Sequence, residues 1–192
     1  YASSSSVYGD TDKFPMKETD KVNPVSPYGV SKLAGENLCY LYWKNYNMPD
    51  GASWIHLTST SGSRPDMAFH IFIKSILQNE PLIIYGDGKQ SRNFTHVDDI
   101  VKANLLAAKS DVEGEIFNIG GDGKRITLND TISLMENIIG KKADKKYKKI
   151  AKGDVRHTAA DCAKAKKLLG YNPNVDFGDG LIREIEWLQQ LY

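Results

Sequence analysis

An α/β fold is what this sequence predicts, on three observations. Helical and strand-like stretches alternate along the chain. The strand-like stretches are short apolar runs closed by glycine, as in PLIIYGDG and GEIFNIGG. No stretch recurs at a fixed period, which sets solenoid and propeller folds aside.

Each element has its own signal. Residues 1–7 read as the end of a buried strand, and 8–25 as a loop rich in Asp, Lys, Pro and Thr. SPYGVSKLAGENLCYLYWKNY is a helix: Ser26 suits the N-cap, Pro27 suits the first helical position, and MPDG at 48–51 ends it. A strand is expected near 52–58. Over 67–78, Phe69, Phe72, Ile73, Ile76 and Leu77 fall at i, i+3, i+4, i+7 and i+8, the clearest amphipathic helix in the chain. PLIIYGDG is a short strand, SRNFTHVDDIVKANLLAAK passes from an extended stretch into a helix, and GEIFNIGG is a strand. TLND at 127–130 is a capping box that opens the next helix. DCAKAKKLLGY opens on an Asp cap and stops at Gly170. FGDGLIREIEWLQQLY is the final helix.

Bulk properties narrow the partners. The 192 residues, 41% hydrophobic and 26% charged, suffice for one good core, or for one domain plus a piece of another. A formal net charge of +1 gives no electrostatic reason to expect nucleic acid or an anionic membrane. No apolar run is long enough to span a bilayer. The lysine-rich run KKADKKYKK at 141–149 has one aromatic residue and no accompanying nucleic-acid signature, so it reads as a solvated face. Cys39 and Cys162 form no C-x-x-C, which fits a reduced, cytoplasmic chain. The four histidines have no ligand spacing, and no metal is expected. NIGGDGKR at 118–125 fails the phosphate-loop pattern, because Arg125 follows Lys124, and reads as a tight strand-to-helix turn.

The chemistry starts from Tyr28 and Lys32. On a helix, i and i+4 share a face. A phenol of ordinary pKa near 10 is a poor base at neutral pH, and a cation a few ångströms away lowers that value by roughly 1–3 units, into range for general-base work. The spacing alone is weak: among ten tyrosines about one Y-x-x-x-K arises by chance. Tyr40 and Lys44 form a second, deeper in the helix among Leu41, Tyr42 and Trp43, and read as packing with a solvated lysine.

Context separates the two pairs. ASSSSVYG followed by SPYGVSK resembles the catalytic serine and Y-x-x-x-K of the extended short-chain dehydrogenase/reductases, in particular the NAD-dependent nucleotide-sugar epimerases. RPDMAFHIFIKSIL, PLIIYGDGKQSRNFTHVDDIV, GEIFNIGG, GDVRHTAAD and KKLLGY are similar to further motifs of that family, in its order. The likeness covers nearly all of the chain and is strongest to the UDP-glucose 4-epimerases and their UDP-N-acetylhexosamine and UDP-glucuronate relatives.

The resemblance implies a set of roles. Tyr28 takes the proton of the sugar 4-hydroxyl, Lys32 holds the ribose of a bound NAD, and Ser4 hydrogen-bonds the 4-oxygen as it becomes a ketone. Ser3 lies beside the cofactor, and a one-residue shift among Ser3, Ser4, Ser5 and Ser6 stays open, as does the bland alternative that the serines only fill a tight strand end. Where the family's dehydratases and decarboxylases carry an acid in this stretch, the chain has only serine, which favours epimerisation. Ile83 and Tyr85 fall at the uracil, Arg92 at the diphosphate, and Asp154 and Arg156 at ribose and diphosphate; the alternative for the arginines is an ordinary surface role. The implied fold is the last part of a Rossmann-like doubly wound parallel sheet over 1–60, then a smaller α/β substrate-binding domain over 61–192, with 86–120 partly returning to the first sheet. The implied assembly is a homodimer through the Tyr28 helix, whose Leu33, Leu38, Tyr40, Leu41 and Trp43 a core-only explanation would also cover.

Two stretches depart from the pattern. No G-x-x-G-x-x-G occurs, so the chain looks like the C-terminal three-fifths of an enzyme of roughly 300 residues, without the helix N-terminus that cradles pyrophosphate. Residues 53–63 keep the family's spacing but not its chemistry: Ile55 and Leu57 stand where an aromatic and an Asn or Thr are expected, and no role is carried over there. A non-catalytic nucleotide-sugar-binding fragment, or a pseudoenzyme, is the reading of a different class.

Overall fold

The computed structural model describes residues 1–46, 54–57, 66–150 and 156–192, with the backbone alone for 54–57. The architecture is α/β, as expected. Helix α1 spans Pro27–Tyr46. Strand β1 (Trp54–Leu57) runs parallel to β4 (Ile116–Ile119), in register from Trp54↔Ile116 to Leu57↔Ile119. Between them along the chain come α2 (Ala68–Gln78), β2 (Pro81–Tyr85), β3 (Ser91–Arg92) and α3 (Val97–Lys109). After β4 follow β5 (Ile126–Thr127), α4 (Leu128–Ile139), β6 (Asp144–Lys148), β7 (His157–Thr158), α5 (Ala163–Leu169) and α6 (Phe177–Gln189).

Two larger apolar cores hold most of these elements, and a third, of Val7, Tyr8 and Met16, packs with Phe14 and with Leu33 of α1. Phe117 and Ile119 of β4 pack with Ile100, Ala103 and Ala107 of α3 and Ala165 and Leu169 of α5. Phe117, Asn118 and Ile119 are all buried, the pattern of a strand covered on both faces. The second core joins Phe69, Phe72, Ile73 and Ile76 of α2 to Leu82 and Ile84 of β2, Ile132 and Met135 of α4, and Leu181, Ile185 and Leu188 of α6. The stripe read from the α2 sequence is therefore the buried one. Among the described residues no helix is long and apolar enough to cross a membrane.

Three local findings refine the sequence reading. The first stretch does not stay extended to residue 7: Ser4 is extended, with φ −156° and ψ 147°, and Ser5–Val7 form a 3₁₀ turn. The lysine-rich run is largely exposed, as read, and it is also a strand: DKKYK is β6, parallel to β2 from Pro81↔Asp144 to Tyr85↔Lys148. Its lysines suit an outer strand, where charge discourages further pairing. The Asp161 carboxylate accepts from the Ala163 N–H at 2.8 Å, but Cys162 is the N-cap position of α5. Thr127 caps α4 as read: Asp130 N–H donates to Thr127 Oγ1 at 3.1 Å, and the Thr127 hydroxyl in turn donates to Asp130 Oδ2 at 2.6 Å.

Candidate active site

Ser26 starts α1 by two bonds: Gly29 N–H donates to Ser26 Oγ at 3.1 Å and Val30 N–H donates to Ser26 O at 3.0 Å. This places Tyr28 in the first turn and Lys32 one turn on. Gly29 lets that first turn settle on the serines. A Cβ at Gly29 would lie 2.6 Å from the Ser6 carbonyl oxygen and 2.9 Å from Pro24 Cβ, closer than side chains approach.

Lys32 ties the pieces together. Its Nζ donates to the Ala2 carbonyl at 2.9 Å and lies 5.6 Å from the centroid of the Tyr28 ring. Tyr28 is 55% exposed, so its phenol is open to a ligand. Ser4 is buried at the base of the turn; its Oγ accepts from Ser6 N–H at 3.2 Å and donates to Ser6 Oγ at 3.2 Å. Ser3 is buried too, and its hydroxyl donates to the Glu36 carboxyl, a residue the sequence reading did not single out. Tyr40 and Lys44 do not share this setting: the Tyr40 ring packs 5.6 Å from that of Trp43, with Lys44 Nζ 5.9 Å from the same indole.

Tyr8 is the other tyrosine near the serines, and it is unsuited to act as a base. Burial pushes its phenol well above the ordinary value, against the lowering effect of its bond to Asn118 Oδ1 at 3.0 Å.

A second group of side chains gathers on the three-stranded sheet of order β5-β3-β7. Ser91 pairs with His157 and Arg92 with Thr158. Arg92 Nη1 donates to Ser91 O and to Arg156 O, both at 3.1 Å. Arg156 Nη2 meets Asp87 Oδ2 at 3.3 Å. The Lys89 N–H holds the Asp87 carboxyl below its usual range, with help from the Arg156 guanidinium and against some desolvation. Tyr85, half exposed, ends β2, and Ile83 is half-buried within it; the Gln90 amide donates to Tyr85 O at 3.0 Å and folds the turn toward β3. Asp154 lies outside the described residues. The loop that leaves the serine turn connects the two groups: Phe14 packs edge-on against His157 at 6.2 Å, under the Arg125 guanidinium at 5.5 Å. Phe14 and Arg125 had no local sequence signal for this contact.

Residues 1–120 match the NAD dependent epimerase/dehydratase family. The chain is 42% identical over 193 residues to YtcB of Bacillus subtilis strain 168, named an uncharacterized UDP-glucose epimerase, with 100% of this chain and 60% of YtcB covered. It is 38% identical over 190 residues to a UDP-glucuronate 4-epimerase of Thermodesulfobacterium geofontis, with 98% and 58% covered. Among solved structures, the UDP-glucuronic acid 4-epimerase of Bacillus cereus, in complex with UDP-glucuronic acid and NAD, superposes with a TM-score of 0.93 at 42% identity, over 100% of this chain and 61% of that one. The chain thus spans about three fifths of the length of these relatives.

Proposed function

The chain belongs to the NAD dependent epimerase/dehydratase family, and from that premise we propose that it forms part of an enzyme that inverts C4 of a UDP-hexose, UDP-glucose and UDP-galactose, through a transient 4-keto sugar. The observation that carries the reading is the attachment of α1 to the serine stretch, with the Lys32 ammonium bonded to Ala2 O and set over the Tyr28 ring.

Each residue has a stated task. Tyr28 takes the 4-hydroxyl proton and later returns it. Lys32 keeps a positive charge beside that phenol and has ammonium protons to offer a ribose hydroxyl. Ser4 donates to the 4-oxygen as it becomes a carbonyl, and Ser3 supports the cofactor side. NAD, when bound, supplies acceptance and return of the C4 hydride. The 192 residues contain no G-x-x-G-x-x-G, so its pyrophosphate needs a cradle from outside them. Arg92 on β3 and Arg156, just before β7, are joined by the Arg92 Nη1 bond to Arg156 O and suit phosphate oxygens through their planar donor forks. Ile83 and Tyr85 would take the uracil, and Asp154 the ribose.

The reading extends to the assembly. It divides the chain near residue 60, with 86–120 partly returning to the first sheet, and the parallel pairing of β4 with β1 supports that return. It makes α1 a homodimer contact, supported by the exposed Leu38, Tyr40 and Leu41. It sets the protein in the cytoplasm, with Cys39 and Cys162 as free thiols.

The test is an assay of the complete protein on UDP-glucose and UDP-galactose. Tyr28→Phe should lose about 10²–10⁴ in rate with the fold kept; an undiminished variant would refute the mechanism. UDP-glucuronate is the second reading, favoured by the ASSSSVYG and RPDMA stretches, whereas GDGKQSRNFTHVDDIV leans toward neutral sugars; UDP-N-acetylglucosamine belongs in the same panel of substrates. A non-catalytic nucleotide-sugar-binding fragment would bind UDP-sugars and turn over none.

A further inference from the structure

Tyr28, Lys32 and Glu36 stand at i, i+4 and i+8 of α1 and so form one stripe along the helix. That stripe touches the first six residues of the chain at three places. Gly29, beside Tyr28, receives the Ser6 carbonyl. Lys32 holds the Ala2 carbonyl. Glu36 accepts the Ser3 hydroxyl.

Glu36 and Gly29 are the two buried residues of α1. For glycine the reason is close approach. For Glu36, 4% exposed, packing is no sufficient reason, because a carboxyl is costly to bury and a leucine would fill the space. What a leucine lacks is an acceptor for the Ser3 hydroxyl, which is itself 2% exposed. Backbone geometry gives this bond its consequence. Ser4 is extended, and successive side chains of an extended segment point to opposite sides. With the Ser3 hydroxyl held on Glu36, the Ser4 hydroxyl does not share that bond and closes on Ser6 instead.

We propose that Glu36 is a positioning residue: by accepting the Ser3 hydroxyl it fixes the serine stretch against α1 and sets the direction of Ser4 relative to Tyr28. The inference rests on the epimerase reading for its effect on rate, but its structural half stands apart from that reading.

The experiment has two arms. In the complete enzyme, with rates normalised to folded, NAD-containing protein, Glu36→Leu should lower kcat about 10- to 100-fold by misplacing the serine while leaving KM for the UDP-sugar unchanged. Ser3→Ala should reproduce the loss, and the double variant should fall no further. Glu36→Gln, whose amide oxygen still accepts the hydroxyl, should stay within about threefold of wild type. In the 192-residue chain, hydrogen exchange at the Val7, Tyr8 and Gly9 amides of the serine turn should quicken about tenfold or more in Glu36→Leu, while the amides of α4 keep their protection. An unchanged kcat in Glu36→Leu overturns the proposal, as does a Gln variant as impaired as the Leu variant, or a loss of protection spread equally to α4. A wild-type enzyme inactive on every UDP-sugar sinks the epimerase reading instead, and leaves the exchange arm to judge Glu36.

Discussion

Ser91 Oγ and His157 Nδ1 lie 2.8 Å apart across the β3–β7 pairing. Arg92 follows the one residue and Arg156 precedes the other, so the bond fastens β3 to β7 beside both arginines. Alternation along β3 turns Arg92 to the face opposite Ser91. The Ser91–His157 contact thus steadies the segment in which Arg92 reaches Arg156 O and Arg156 meets Asp87.

That histidine should make stability depend on pH. Burial pushes the His157 imidazole below its ordinary 6.5, with Arg125, Arg156 and Arg92 acting in the same direction. Folding therefore favours the neutral ring. Its contribution is fully present above pH 6.5 and is lost as the pH falls from there through the lower folded value. Wild-type Tm should drop across this interval more steeply than that of His157→Gln, which has no imidazole to protonate. Parallel Tm curves for the two proteins would count against the account.

Gly29→Ala should loosen the candidate site through a single methyl group. The new Cβ would fall 2.6 Å from the Ser6 carbonyl oxygen. Backbone meets backbone there, with no flexible side chain to give way. Overpacking of this kind costs about 1–3 kcal/mol. A urea titration should show the midpoint falling at an unchanged slope, and a midpoint equal to wild type would mean the serine turn has more freedom than its contacts with α1 imply.

The parts of the fold that were legible in the sequence are those whose cause is local. The α2 stripe is written at helical spacing, and the Thr127–Asp130 box needs only four residues. Tyr28 and Lys32 could be paired because one helical turn joins them. DKKYK gives no strand signal of its own; its conformation comes from the ladder with PLIIY, more than sixty residues earlier. Glu36 was missed for the same reason, since its partner Ser3 lies 33 residues away and no spacing rule connects a loop serine to a mid-helix glutamate. Arg92 and Arg156 were found one at a time by likeness to a family, and only the β3–β7 pairing shows that they are neighbours.

Tyr8 anchors the far end of the serine turn, and its removal should be felt in stability before activity. Its hydroxyl donates to Asn118 Oδ1, while the same amide donates to Met16 O at 2.9 Å and the Asn118 N–H reaches Glu18 Oε1 at 2.7 Å. Tyr8→Phe takes a donor from a fully buried amide oxygen and should cost about 1–3 kcal/mol. The pH dependence follows from burial, which raises the Tyr8 phenol above its ordinary 10.0. The stabilisation is present below pH 10.0 and is lost as the pH rises through the higher folded value. Urea titrations should therefore find a constant gap between wild type and Tyr8→Phe up to pH about 9, narrowing at higher pH. A gap that widens with pH would mean the phenol is not held as a donor to Asn118.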